Sequence, residues 1–419
     1  MGENAVATGD AHMADAEDHA SAQPLWIRAA VDKAAFADEQ AALGHLWTFV
    51  GFTSDLVAEG DWFRTRLGGR SIFVQRFDDG IRAFENRCAH RFYPLRTKDK
   101  GNGPILCGFH HWRYNKDGVA VGIPNAQEMF GQIPRDMNAS IARLDVETCG
   151  DLIFARFPSS QRTETLADYL GPGYAILKFI CAPAGKPHRL TQTIHAHWKF
   201  SHHISLDDYH IVAVHPSTFG KQGYLKDGTF QYFRFGPHSA HFSHPDPAQF
   251  DQIAADCAAG TYRPSHYSIY NIFPNLVVTQ FRVIDAFGRN YWFVNVAHYH
   301  PVAPDETRVM AWFFHAPLAG DERPWELKLR PYLDPIAIPL VAHFAAKVMF
   351  EDNAACEGQQ MLAREVVADQ TLGAQELRIA WFEEAYGAAL DGRPLPGETG
   401  NDQPALPLTY ADEGRTRIA

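Results

Sequence analysis

Hydrophobic and polar positions follow two different rhythms along the chain. From Trp47 to about Phe157, short apolar runs such as Ser71–Gln75, Ile81–Phe84 and Asp151–Ala155 alternate with Gly, Asp and Asn. Runs this short, bounded by turn formers, predict an all-β unit of brief antiparallel strands.

Beyond about Pro158 the elements lengthen. Tyr267–Thr279, Asn290–His300 and Thr307–His315 are rich in β-branched and aromatic residues and read as strands, with Pro301–Asp305 as a turn between the last two. Pro245–Ala259, Leu333–Leu372 with internal breaks, and Ala374–Leu390 carry apolar residues at three- and four-residue intervals and read as helices. The expected fold class is α+β, with an all-β domain over 46–158 and a helix-and-antiparallel-sheet domain from 24–45 and 159–419. Residues 1–23, rich in Ala, Asp, Glu and His, read as a disordered tail.

The length of 419 residues suits two or three domains, and a formal charge of −11 argues against nucleic acid or an anionic membrane as the main partner. The N-terminus lacks the basic start and long apolar run of a signal peptide. Ile336–Phe350 is interrupted by Pro339, His343 and Lys347 and reads as too short to cross a bilayer. Cytoplasm is the expected compartment. Of six cysteines, Cys149, Cys181, Cys257 and Cys356 are scattered with no disulfide-like spacing, which fits a reducing environment.

The other two cysteines carry chemistry. Cys88-Ala-His90 and Cys107-Gly-Phe-His110 each pair one sulfur with one nitrogen donor. Structural zinc usually groups its ligands as Cys-x-x-Cys and His-x-x-x-His, so a colourless zinc protein without turnover is the alternative from another class. Mixed pairs instead suit a [2Fe–2S] cluster with two thiolates on one iron and two imidazoles on the other. Lys116–Gly118, after the second pair, reads as a hairpin turn.

A second cluster lies between His195 and His215, where His195, His197, His202, His203, His210 and His215 occur in an otherwise apolar stretch. On a helix Asp207 and His210 share a face, and Pro216 ends the helix near His215. Two imidazoles and one carboxylate are the ligand set of non-haem iron(II) oxygenases. Asp352 is the candidate carboxylate: Ala345, Val348, Cys356 and Gln359 fall on its stripe, while Glu351 and Glu357 are expected to point away. Taken singly, such histidines are ordinarily core residues and such an aspartate is ordinarily half-exposed.

Together, the Cys/His pairs, the run Trp198-Lys199 to Asp207-Asp-Tyr-His210 with His215, Ile272–Leu276, and Glu351-Asp-Asn with Gln359 resemble the α subunits of Rieske non-haem iron aromatic ring-hydroxylating oxygenases over residues 25 to 390. The resemblance implies that Cys88, His90, Cys107 and His110 bind a Rieske cluster and that His210, His215 and Asp352 bind iron(II). It also implies a homotrimer, with or without a β subunit, in which Asp207 links His110 of a neighbouring copy to His210. Where many relatives have Asn, this chain has His202-His203, so His203 is expected near the iron as a hydrogen-bond donor toward oxygen or a polar substrate group; a core histidine bonded to a carbonyl is the alternative.

The chemistry implied is O2-dependent hydroxylation of an aromatic or other apolar small molecule, by cis-dihydroxylation or, alternatively, by monohydroxylation or demethylation. With no dinucleotide fingerprint in the chain, electrons are expected from a ferredoxin or flavin reductase. Arg87, Arg91, Arg96, Lys98, Lys100, Arg113 and Lys116 form a candidate basic collar for an acidic donor.

Overall fold

The computed structural model describes residues 23–182, 187–218, 229–244, 250–284, 290–316, 324–397 and 408–410. Nearly all of the expected tail lies outside these residues. Its last member, Gln23, is buried and donates to the carbonyls of Ala363 and Arg364 at 3.2 and 3.1 Å.

The first domain is all-β. Its strands are β1 (Thr48–Phe52), β2 (Asp61–Leu67), β3 (Arg70–Phe77), β4 (Gly80–Glu85), β5 (Lys100–Asn102), β6 (Ile105–Leu106), β7 (Arg113–Tyr114), β8 (Ala120–Gly122), β9 (Arg143–Cys149) and β10 (Leu152–Arg156). They form an antiparallel sheet in the order β1-β10-β9-β4-β3-β2-β5 and a small second sheet, β6-β7-β8. The turn expected at Lys116–Gly118 joins β7 to β8, with Gly118 at φ 82°, a conformation glycine adopts without a Cβ clash.

The second domain contains β11 (His188–Ile194), β12 (Thr229–Phe235), β13 (His238–His244), β14 (Tyr267–Ile272), β15 (Leu276–Ile284), β16 (Asn290–Ala303), β17 (Glu306–His315) and β18 (Leu408–Tyr410). Their order is β11-β17-β16-β15-β14-β13-β12-β18. The strand expected over Tyr267–Thr279 is two strands, because the chain reverses at Phe273–Asn275 and Ile272 pairs with Leu276. Pro274 has no N–H to give a continuing ladder.

Alternation along β16 gives the sheet two apolar faces. Val294 and Val296 join a core shared with Trp47, Phe49 and Phe154 of the first domain, where Phe52 packs edge-on against Trp312 at 5.2 Å. Phe293 and Ala297 join the opposite core with Ile338 and Ala342.

The helices are α1 (Leu25–Val31), α2 (Lys33–Leu43), α3 (Ala126–Phe130), α4 (Leu166–Leu170), α5 (Gly173–Ile180), α6 (Trp198–His203), α7 (Ile211–Val214), α8 (Phe250–Ala259), α9 (Pro324–Leu362) and α10 (Leu377–Leu390). Of the segment expected over Leu333–Leu372 with internal breaks, the part in α9 runs unbroken through Pro335 and Pro339, and the break comes at Leu362, where a 3-10 turn over Ala363–Glu365 follows. The two prolines forfeit hydrogen bonds within the helix, while Ile338 and Ala342 anchor it on the sheet. Tyr332–Glu365 is therefore long and apolar enough, by length and composition, to cross a membrane, contrary to the expectation from the shorter Ile336–Phe350 run. The same helix packs on β11 and α6 and carries Asp352.

Candidate metal centres

The first centre is built from two loops flanking the small sheet. Cys88 and Cys107 are each 1% exposed. His90 Nδ1 and His110 Nδ1 converge at 3.2 Å, and the His90 ring stacks on Trp112 with 4.8 Å between centroids. Burial pushes the Cys107 thiol up, and the neighbouring Cys88 adds to the rise; a metal relieves both effects by taking the thiolates. Tyr114 Oη lies 3.0 Å from Cys88 Sγ and accepts from the Ala89 N–H at 3.0 Å. Each loop also holds a non-glycine residue in the left-handed region, Phe92 at φ 59° and His111 at φ 57°, a backbone choice costing on the order of 1–2 kcal/mol.

The second centre joins two elements. His210 precedes α7, His215 ends it, and Asp352 lies on α9. Their donor atoms converge: His210 Nε2 to His215 Nε2 is 3.3 Å, His215 Nε2 to Asp352 Oδ1 is 2.9 Å, and His210 Nε2 to Asp352 Oδ1 is 3.5 Å. Among the described residues this is the one group of three or more such side chains gathered closely enough to hold a metal ion. Burial works against charge on all three, but their mutual contacts outweigh it. His210 is raised to about 9 with help from Asp207, His215 is raised, and Asp352 is lowered. Such a self-paired cluster is the electrostatic condition of a site built for a cation.

A carboxylate stands behind each imidazole. Glu351 Oε2 accepts from His215 Nδ1 at 2.9 Å and from Thr218 Oγ1 at 2.7 Å, and Glu351 also accepts from Ser217 Oγ. Glu351 was expected to point away, and the structure turns it inward. An apolar stripe marks the side of α9 that meets the core, and Glu351, one residue off that stripe, meets the remote nitrogen of His215. Asp207 Oδ2 lies 3.4 Å from His210 Nδ1, a looser contact, while its Oδ1 accepts from the backbone N–H groups of Tyr209 at 2.6 Å and His210 at 3.2 Å. Outer carboxylates of this kind fix which nitrogen of a histidine faces the metal.

Other expected residues are placed differently. His203 is buried, and its Nε2 lies 2.8 Å from Glu383, which also accepts from Lys199 Nζ at 2.9 Å. That partner on α10 belongs to neither the carbonyl nor the metal-facing reading. Gln359, expected on the buried stripe, is exposed. Arg96 leaves the basic collar: it is 7% exposed, donates to Gln75 and to the Gly103 and Pro104 carbonyls, and lies against Trp62. Lys116 is paired with Asp78 and Asp79. All six cysteines are free and buried.

Residues 46–141 match the Rieske [2Fe-2S] domain family, and residues 184–392 match the ring hydroxylating alpha subunit catalytic domain. The chain belongs to the Rieske ring-hydroxylating alpha subunits. Its curated relatives include the terephthalate 1,2-dioxygenase terminal oxygenase component subunit alpha 2 of Comamonas sp., 29% identical over 51% of this chain and 54% of that one. They also include the anthranilate 1,2-dioxygenase large subunit of Burkholderia cepacia, 29% identical over 46% and 45%. The chain spans about half the length of the curated relatives it matches.

Among solved structures, naphthalene 1,2-dioxygenase from Rhodococcus sp. bound to indole superposes with a TM-score of 0.65 at 20% identity, covering 87% of this chain and 94% of that one. The quaternary ammonium Rieske monooxygenase CntA superposes at 0.60, with 18% identity and coverages of 86% and 92%. These likenesses establish the fold: an all-β Rieske domain joined to a helix-and-antiparallel-sheet catalytic domain. The cofactors of this pair of domains are a [2Fe–2S] cluster and a mononuclear iron. The donors of this alpha subunit suit both groups: two buried sulfurs with two converging imidazoles, and two imidazoles with one carboxylate.

Proposed function

We propose that this alpha subunit is the terminal oxygenase component of a multicomponent system that hydroxylates an aromatic or other apolar small molecule with O2, by cis-dihydroxylation. The observation that carries this reading is the convergence of His210 Nε2, His215 Nε2 and Asp352 Oδ1 within 3.5 Å of one another on one side of α9. His210, His215 and Asp352 hold the iron, and Cys88, His90, Cys107 and His110 hold the cluster. When bound, the cluster supplies single electrons and the iron activates dioxygen.

The chain's own residues hold and orient these groups. Glu351 keeps the proton of His215 on Nδ1, leaving Nε2 for the metal. Asp207 does the same for His210 and offers its carboxylate, flanked by exposed Tyr209 and Val212, to a neighbouring copy in a homotrimer. There it would meet His110, giving a hydrogen-bonded path between the two centres. His203 acts through Glu383, holding α6 and α10 together beside the iron segment.

The sheet face toward α9 carries Val277, Phe293 and Ala297 packed against Ile338 and Ala342 of that helix, with Tyr267 and Tyr299 at the edge of this apolar cluster. A ferredoxin or flavin reductase in the cytoplasm supplies electrons, and the domains run over 46–158 and over 24–45 with 159–419. Monooxygenation is the second reading, favoured by 38% identity over 104 residues with a glycine betaine monooxygenase oxygenase subunit of Chromohalobacter salexigens, a match covering 22% of that protein.

The test is spectroscopy followed by product analysis. The reduced, reconstituted protein should show the paramagnetic signal of a Rieske centre, and arenes, aryl carboxylates and methyl ethers should be screened for diols, phenols or demethylated products. A colourless, EPR-silent protein after anaerobic iron and sulfide loading would overturn the reading.

A further inference from the structure

Asp208 follows the proposed bridging carboxylate and faces the opposite way. Asp207 is partly open to solvent, while Asp208 is 2% exposed. Its carboxylate accepts from Arg378 Nη2 of α10 at 3.1 Å and pairs with His241 Nδ1 of β13 at 2.9 Å. Its backbone N–H donates to the Gln375 carbonyl at 3.2 Å. Arg378 is fully buried, and its second amino group, Nη1, donates to Asn271 Oδ1 of β14 at 2.8 Å. Asn271 Nδ2 in turn donates to Ser205 Oγ at 2.7 Å, and Ser205 Oγ donates to the His202 carbonyl at 2.6 Å.

These contacts close a circuit. The segment from α6 to His210 is held at Ser205 through Asn271 and at Asp208 through Arg378, and one guanidinium joins both holds. Between them Leu206 is 1% exposed, so the segment is also pinned by an apolar side chain. Asp207 stays partly open to solvent, beside the exposed Tyr209. A buried ion pair is a poor way to gain stability, since apolar residues of the same volume avoid the desolvation cost. A guanidinium holding two acceptors in fixed directions does what apolar packing cannot, which is to set orientation.

We infer that Asp208 is the positioning residue for the Asp207–His210 turn, and that α10, through Arg378, together with β13 and β14, sets the aim of the carboxylate that links the two metal centres. The inference rests on the reading of Asp207 as that link. Neither Asp208 nor Arg378 touches the iron ligands' metal-facing atoms, so loosening the clamp moves the link without removing a ligand. The effect belongs to electron transfer between centres and not to the oxygen chemistry.

The experiment compares wild type with Asp208→Asn, Asn271→Ala and Asp207→Ala as assembled protein loaded with iron and cluster. Asn271→Ala breaks the circuit without stranding a buried carboxylate, so it serves if Asp208→Asn folds poorly. Three quantities are read: bound iron, the rate at which a chemically reduced cluster is reoxidised by O2 and substrate, and product formed from hydrogen peroxide in place of O2 and donor. Peroxide already carries the two electrons, so that route needs no transfer through the bridge.

Both clamp variants should keep wild-type iron, reoxidise the cluster at least tenfold more slowly, and form peroxide-driven product within twofold of wild type. In metal-free protein, amide exchange over 204–210 should quicken by about tenfold. Wild-type reoxidation in the clamp variants with slow reoxidation in Asp207→Ala overturns the inference and leaves the bridging reading standing. Wild-type reoxidation in Asp207→Ala overturns the bridging reading itself. Loss of iron, or an equal fall in the peroxide route, assigns the clamp a merely structural role and overturns the inference.

Discussion

Glu351 Oε2 and His215 Nδ1 lie 2.9 Å apart, and the adjacent residue, Asp352, meets the other nitrogen of the same ring at 2.9 Å. Consecutive residues of α9 therefore grip both sides of one imidazole: Glu351 sets its tautomer, and Asp352 shares its metal-facing side.

Replacing Glu351 should weaken iron binding without removing a ligand. Glu351→Ala is expected to lower iron affinity by about 10–100-fold, read by competition with a calibrated chelator. Glu351→Gln, whose amide oxygen still accepts from Nδ1, should lose less. Equal affinity in wild type and Glu351→Ala would refute the assignment.

His203→Asn should lower turnover or divert reducing equivalents to peroxide while leaving iron content unchanged, because the Glu383 contact lies on α10 and away from the ligand atoms. Product per electron consumed is the measurement, and unchanged kinetics would eliminate a role for the side chain.

Tyr114 sits against Cys88 Sγ at 3.0 Å, and a hydrogen bond to a cluster sulfur favours the reduced, more negative state. Tyr114→Phe should lower the midpoint potential by on the order of 50 mV, which is what a bond worth about 1 kcal/mol contributes to a one-electron couple. Spectroelectrochemistry gives the value directly; an unmoved or raised potential contradicts it.

Lys98 and Lys100, which lie between the two Cys/His loops in sequence, are exposed, whereas Arg96 and Lys116 are accounted for by internal partners. Reversing both to Glu should raise the donor's KM several-fold and flatten its dependence on ionic strength. If neither changes, donor docking lies elsewhere.

His238 carries a pH dependence of stability. It is buried, with Nε2 donating to the Tyr169 carbonyl at 2.8 Å and Nδ1 accepting from the Phe273 N–H at 3.0 Å, so both nitrogens are used by the neutral ring. Burial lowers it to about 4. Because the folded value lies below the ordinary value near 6.5, its contribution is complete above about pH 6.5 and is lost as pH falls toward 4, on the order of 3 kcal/mol in total. Urea unfolding of the metal-free protein across this range should show a shallower pH slope for His238→Gln than for wild type. Parallel curves would assign the acid sensitivity to other groups.

What could be read along the chain were the features whose partners lie close in sequence or whose chemistry is rare. The pairs Cys88/His90 and Cys107/His110 each sit in one short loop, and thiolate and imidazole donors in that spacing have few uses. Asp207, His210 and His215 lie within one short segment, and Asp352 declared itself as a carboxylate on an apolar stripe. Alternating strands and periodic helices conveyed the two-domain α+β architecture because burial on one face imposes those periods locally.

Packing decided the rest. Glu351 meets His215 across 136 residues, Arg378 meets Asp208 across 170 and Lys199 meets Glu383 across 184, and nothing in either partner's neighbourhood names the other. A helical wheel says which side of α9 faces protein, but not that a histidine nitrogen waits at its flank. The continuity of α9 through Pro335 and Pro339 was settled in the same way, by contacts with a distant sheet outweighing a local preference. Such directions exist only once the helices lie on the sheet, since a hydrogen bond requires two groups at one distance and angle, whereas a hydrophobic pattern requires only a side.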